Sequence, residues 1–161
     1  MKISISLGGT DDTDHAEELG RTGFWGKRGA GLLFCARDTG RLLVSHRSPH
    51  VQEPQTWGTW GGACDGKEPS AKAAEREARE ETLYSGPLEL EHVWTFTHGS
   101  GFVYDNFLAF IPSEFTPTLG WETQGFRWVS GDLNDWPKPL HPGLEALIKA
   151  AGPRLGILTK H

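Results

Sequence analysis

The stretch from Gly62 to Tyr84, GACDGKEPSAKAAEREAREETLY, constrains this chain more than any other. It reads as a glycine turn, an isolated Glu68, an alanine-rich helix, and then Arg76, Glu77, Arg79, Glu80 and Glu81 crowded together. Residues three and four apart are neighbours on a helix, so Glu77, Glu80 and Glu81 project as one carboxylate group. Like charges that close repel. They lower helix stability, raise a carboxylate pKa, or are held together by a cation. Hard oxygen donors suit Mg2+ or Mn2+, which keep several waters and complete their shell with substrate phosphates. By charge alone, the segment reads equally as a solvated Glu/Arg face with Arg76 and Glu80 as one i,i+4 pair.

The spacing goes further. Gly62, five residues, Glu68, seven residues, Arg76-Glu77, the small Ala78, one residue, and Glu80-Glu81 follow one another in strict order. This resembles the signature of the Nudix hydrolases, of the MutT-like branch, with seven specified positions in register over 23 residues. Leu83 stands where that signature has glycine. A glycine there ends the helix in a left-handed conformation, so with Leu83 the helix is expected to run on to the stop at Gly86-Pro87.

The resemblance implies an α+β chain, the α/β/α sandwich with a mixed β-sheet. It also implies hydrolysis of a nucleoside diphosphate linked to another moiety, with Mg2+ or Mn2+ as cofactor. Carried over residue by residue, Glu80 and Glu81 bind metal, Glu77 binds metal or acts as base, and Arg76 orients Glu77. The Gly61 carbonyl is a metal ligand, and Glu68 has a supporting place near metal and substrate. In the comparable MutT-like loop, a glutamate adds a further metal ligand or serves as base. Here that residue is Glu122, with Glu114 as competitor.

At 161 residues the chain has the length of one domain, divided in this reading into an extension over 1–28 and a Nudix domain over 29–161. Ile3, Ile5 and Leu7 alternate as a strand, and residues 10–18 form an acidic loop without the ligand order of a calcium site. The net charge of -5 argues against nonspecific nucleic-acid or anionic-membrane binding, and leaves a small nucleotide as the expected partner. Cys35 and Cys64 match no zinc or disulfide pattern, there is no membrane-length apolar run, and the N-terminus lacks a signal-peptide core. A reduced cytoplasm is the expected compartment. The oligomeric state is open, a homodimer being one option.

Gly31 to Arg47 reads as a hairpin about the turn Arg37-Asp38-Thr39-Gly40. Ser48 to Trp57 is a loop, in which Arg47 and His50 are candidates to meet a phosphate or base, or to form surface ion pairs. The helix is expected to start near Pro69-Ser70, with Ser70 as its cap and Ala71, Ala74 and Ala78 against a sheet. Residues 88–98 and 102–111 alternate as two strands, the second apolar enough to be central. Pro142 opens a packing helix that closes at Gly152. Phe24, Trp25, Trp60, Phe102, Tyr104 and Trp136 are candidates to stack a base, with Trp60 and Arg47 the favoured substrate contacts. Within the family's range the sequence leans to nucleoside triphosphates. ADP-ribose, dinucleoside polyphosphates and a binding-only module are the alternatives.

Overall fold

The computed structural model describes residues 28–158, so the N-terminal strand, the acidic loop and the Phe24-Trp25 pair lie outside the described residues. Alternating apolar residues build the sheet. In β1 (Arg28–Ala36), Leu32 and Phe34 face one side and Leu33 the other, and all three are fully buried. β1 turns at residues 37–40, where Gly40 supplies the positive φ of 74°, into β2 (Leu42–Arg47). The two strands pair only near the turn, Phe34 opposite Leu43, and then splay. The short strands β3 (Trp57–Gly58) and β4 (Trp60–Ala63) fill the opening, β3 pairing with β2 and β4 with β1.

The expected central strand is central. β6 (Val103–Ile111) lies parallel to β1 on one edge and antiparallel to β5 (Glu89–Thr97) on the other. β7 (Thr123–Val129) adds antiparallel to β2 and starts immediately after Glu122.

One helix covers each face, giving the α/β/α sandwich. α1 (Ser70–Thr82) packs Ala73, Ala74 and Ala78 onto Ala30, Leu32, Phe34 and Phe107, where the lack of bulk allows close approach. α2 (Pro142–Ala151) packs Leu144 and Leu147 onto Leu33, Val44, Leu108 and Val129. No helix among the described residues is long and apolar enough to cross a membrane.

Two expectations about α1 are corrected. Pro69, not Ser70, is the N-cap, in extended geometry, and its carbonyl accepts from Ala73 N–H without any side-chain cap. Nor does the helix run on past Leu83. Leu83 itself takes the left-handed conformation, φ 60°, and its N–H closes on Arg79 O at 2.7 Å. The neighbourhood imposes the bend. The Thr82 hydroxyl donates to Ala78 O and accepts from Tyr84 N–H, while Arg79 Nη1 donates to the carbonyls of Tyr84 and Gly86.

A left-handed backbone with a Cβ costs about 1–2 kcal/mol, partly offset by the chain entropy a glycine would lose. Leu83 is 63% exposed and contributes little packing. Leu83→Gly is therefore expected to stabilise the protein by about 0.5–1 kcal/mol in denaturant unfolding, with a rise in Tm of a few degrees. A variant no more stable than the parent would show that the bend carries no strain.

Candidate active site

The fork between β1 and β2 positions the site, because it brings β4 against the start of α1's carboxylate face. β4 must carry glycines there. A Cβ on Gly61 would stand 2.3 Å from Ala30 O, and one on Gly62 would stand 2.7 Å from the carboxyl carbon of Glu77. Glu77 is thus buried directly against bare backbone, 6% exposed.

Arg76 organises the acidic residues. Its Nε and Nη2 grip Glu68 at 2.9 and 3.0 Å, Nη2 also reaches Ala63 O at 3.2 Å, and Nη1 donates to Glu77 Oε2 at 3.1 Å. The two-pronged bond from Arg76, reinforced by Asp65 N–H, holds the Glu68 carboxyl below the usual carboxylate range. Glu68 in turn pushes the Arg76 pKa up. Arg28 Nη2 ties the loop down through the carbonyls of Gly66 and Glu68. Glu68 accordingly acts on Arg76, and it lines neither of the cavities described below.

The helix does not present its three carboxylates as one close cluster. Glu77 turns inward to Arg76 and Gly62, Glu81 Oε1 accepts from Gly61 N–H at 3.1 Å, and Glu80 is exposed with Arg76 Nη1 at 3.6 Å. Among the described residues, no three acidic, His or Cys side chains form a closed metal cage. The oxygen donors at hand are carboxylates, carbonyls and hydroxyls, a hard set of the kind that Mg2+ or Mn2+ takes while keeping several waters.

Glu81 faces a small cleft of about 20 Å3 whose lining also includes Gly61, Ser45, Arg47, Glu122 and Thr123, with room for about one water or ion. Glu122 is anchored there by its carbonyl, which accepts from Ser48 N–H at 2.9 Å. Its competitor Glu114 is elsewhere, gripped by Arg41 at 2.7 and 2.8 Å and by the Thr39 hydroxyl at the β1–β2 turn.

Arg47, Thr59 and Gly61 also line a second, larger cavity of about 410 Å3. Its walls are Trp94, Phe96, Phe102, Tyr104, Asn106 and His141, from β5, the β5–β6 turn, β6 and the start of α2. The Tyr104 hydroxyl lies over Gly31 and Gly61, where a Cβ would stand 2.3 and 2.7 Å from it, and burial raises its pKa. Arg47 donates to Gln52 O, which braces the guanidinium between the two cavities.

Two candidates are corrected, and a third lies away from both cavities. Trp60 is fully buried opposite Leu32, its indole N–H donating to Leu43 O at 3.1 Å, so it supports α1 and cannot stack a ligand. Trp136 is 4% exposed in the core under α2, with its N–H on Ser130 O. His50 is exposed and lines neither cavity. Phe102 and Tyr104 do line the large one, joined by Trp94, Phe96, Asn106 and His141, which sequence reasoning did not single out. Asn106 carried a signal, a polar side chain inside the apolar run of β6.

Burial of the half-exposed thiol pushes Cys64 up to about 11, which makes it a poor nucleophile at neutral pH. The chemistry of the site is thus that of carboxylates and an arginine.

Known proteins resemble this chain in sequence and fold. Residues 26–151 match the model of the NUDIX domain. The chain is 31% identical over 134 residues to a putative 8-oxo-dGTP diphosphatase 3 of Mycobacterium tuberculosis, covering 76% of this chain and 61% of that protein. It is 30% identical over 108 residues to the CMP-5'-(N-acetyl-N-hydroxy-3-aminopropyl)phosphonate hydrolase of Streptomyces rubellomurinus, covering 65% and 52%. It thus spans between half and two thirds of the length of these relatives. The crystal structure of the Nudix hydrolase RenU from M. smegmatis superposes with a TM-score of 0.68 at 26% identity, over 86% of this chain and 92% of that one. Motif, fold and matches agree: the chain belongs to the NUDIX domain family of Nudix hydrolases.

Proposed function

We propose that this protein is a Mg2+-dependent pyrophosphohydrolase that cleaves a phosphoanhydride bond of a nucleotide, a nucleoside triphosphate or close relative. The observation that carries the reading is the adjacency of the two cavities. An aromatic chamber sized for a nucleoside shares Arg47, Thr59 and Gly61 with the wall of the cleft of Glu81 and Glu122. Both curated relatives carry nucleoside phosphates in their names, which supports the same class here.

In this reading the rings of Trp94, Phe96, Phe102 and Tyr104 stack the base and exclude water around it. Arg47 meets the phosphates as they leave the chamber. Glu81, Glu122 and the Gly61 carbonyl would hold the divalent ion, with Glu80 and Glu77 near it on the same helix and Arg76 fixing the Glu77 carboxylate. Mg2+, when bound, would supply neutralisation of the pyrophosphate and a more acidic water. Glu77 or Glu122 would serve as the carboxylate that accepts a proton, Glu122 being the one that lines the cleft.

The test is a panel of dNTPs, oxidised dGTP, ADP-ribose, dinucleoside polyphosphates and 5′-triphosphorylated RNA with Mg2+. Release of a nucleoside monophosphate from one class, abolished by chelation, is the expected result. A protein that turns over none of them, yet gains thermal stability from one, would be a binding module instead.

A further inference from the structure

The aromatic cavity carries two polar side chains whose own hydrogen bonds leave one atom each uncommitted. His141 precedes α2 and caps it, with Gly143 N–H donating to its Nδ1 at 2.8 Å. A ring nitrogen that accepts a hydrogen bond bears no proton, so the neutral imidazole carries its proton on Nε2. Burial and the nearby Arg47 charge push the His141 pKa down to about 3, so the ring stays neutral over the working range. The other titratable groups on the cavity wall are Arg47, Glu53, His98 and Tyr104. Asn106, 5% exposed on β6, donates its Nδ2 to Trp94 O at 3.3 Å and keeps Oδ1 as an acceptor. Neither His141 Nε2 nor Asn106 Oδ1 has a hydrogen-bond partner among the described residues.

A donor and an acceptor in a largely apolar wall are satisfied either by water or by a ligand group that takes its place. Neither is charged. Uncharged groups of this kind suit a neutral ring, whereas Arg47, on the same wall, offers the cationic contact that a phosphate needs.

We propose that His141 and Asn106 are the specificity-determining pair of this site. His141 Nε2–H donates to an acceptor on the stacked heterocycle, and Asn106 Oδ1 accepts from an N–H of the same ring. The ligand class this fits is a planar nucleobase presenting one acceptor and one donor, rather than a hydrocarbon, sugar or anionic group. The proposal rests on the nucleotide reading above.

His141→Ser keeps a good helix cap and removes the donor, and Asn106→Leu keeps the volume and removes the acceptor. Each variant is expected to raise KM for the preferred nucleotide about 10-fold or more. In each, kcat should stay within about twofold and the preference among bases should flatten. Long-range 1H–15N NMR of the His141 ring provides a readout independent of turnover. The expected spectrum has an unprotonated Nδ1 and a protonated Nε2, unchanged from pH 5 to pH 9.

Wild-type KM and base preference in both folded variants would overturn this proposal while leaving the enzyme reading in place, as would a His141 ring that titrates in that range. If no nucleotide of the panel is turned over or perturbs the His141 resonances, the nucleotide reading fails and this pair falls with it.

Discussion

Glu81→Gln is expected to lower kcat by about 10^3-fold with the fold intact. Glu81 projects from α1 into the cleft shared with Glu122, and its Oε1 accepts from Gly61 N–H. A glutamine carbonyl can keep that hydrogen bond and the shape of the side chain. It removes the negative charge and replaces the second oxygen, the hard donor a divalent cation needs, with an amide nitrogen. Stability should change little, because the glutamine keeps the hydrogen bond to Gly61 N–H and the side chain's shape. Initial rates with Mg2+ on the best substrate, alongside thermal melts, check this. A folded variant with wild-type kcat would remove Glu81 from the metal set.

Arg76→Lys is expected to cost about 2–3 kcal/mol of stability and to lower kcat as well. The substitution keeps the charge and loses the fork, and the fork makes both bonds to Glu68 while a third nitrogen holds Glu77. Breaking a fully buried pair costs about 3–5 kcal/mol; Arg76 is 30% exposed, so water recovers part of that. The pH dependence follows from Glu68, whose folded-state pKa Arg76 holds below its unfolded value. Its contribution to stability is complete above the unfolded carboxylate pKa, about 4.3, and is lost as pH falls through the lower folded value. In Arg76→Lys the two values approach each other and that contribution shrinks. Urea unfolding at pH 7 and at pH 3.5 measures both effects: the variant should be the less stable at pH 7, and the gap should narrow at pH 3.5. Equal stability at both pH values would mean that the guanidinium network holds nothing in place.

Most of the fold was legible because its signals are local. Alternation in β1 and β6, the turn at Gly40 and the alanine face of α1 each depend on residues a few positions apart. The fixed spacing in one helix and its preceding turn pointed to the family, while the expected single cluster of Glu77, Glu80 and Glu81 is split in three directions by Arg76, Gly61 and solvent.

Errors arose where distant segments decide. Trp60 lies just before the motif, and its direction depends on pairing with Leu32, 28 residues upstream. The aromatic cavity joins β5, β6 and the start of α2, so Trp94, Asn106 and His141 gave no common signal along the chain. Leu83 misled for another reason. An apolar residue does not announce a left-handed bend, which here is imposed by the hydrogen bonds of Thr82 and Arg79.

The central claim is that the cleft of Gly61, Glu81 and Glu122 holds the divalent ion, and binding of Mn2+ followed by electron paramagnetic resonance tests it most directly. Wild-type protein, Glu81→Gln and Glu122→Gln would be titrated with and without the best nucleotide. The expected result is saturable binding in the wild type, tightened by nucleotide and weakened about 10-fold or more in each variant. Equal Mn2+ affinity in all three folded proteins would place the ion elsewhere and contradict the assignment.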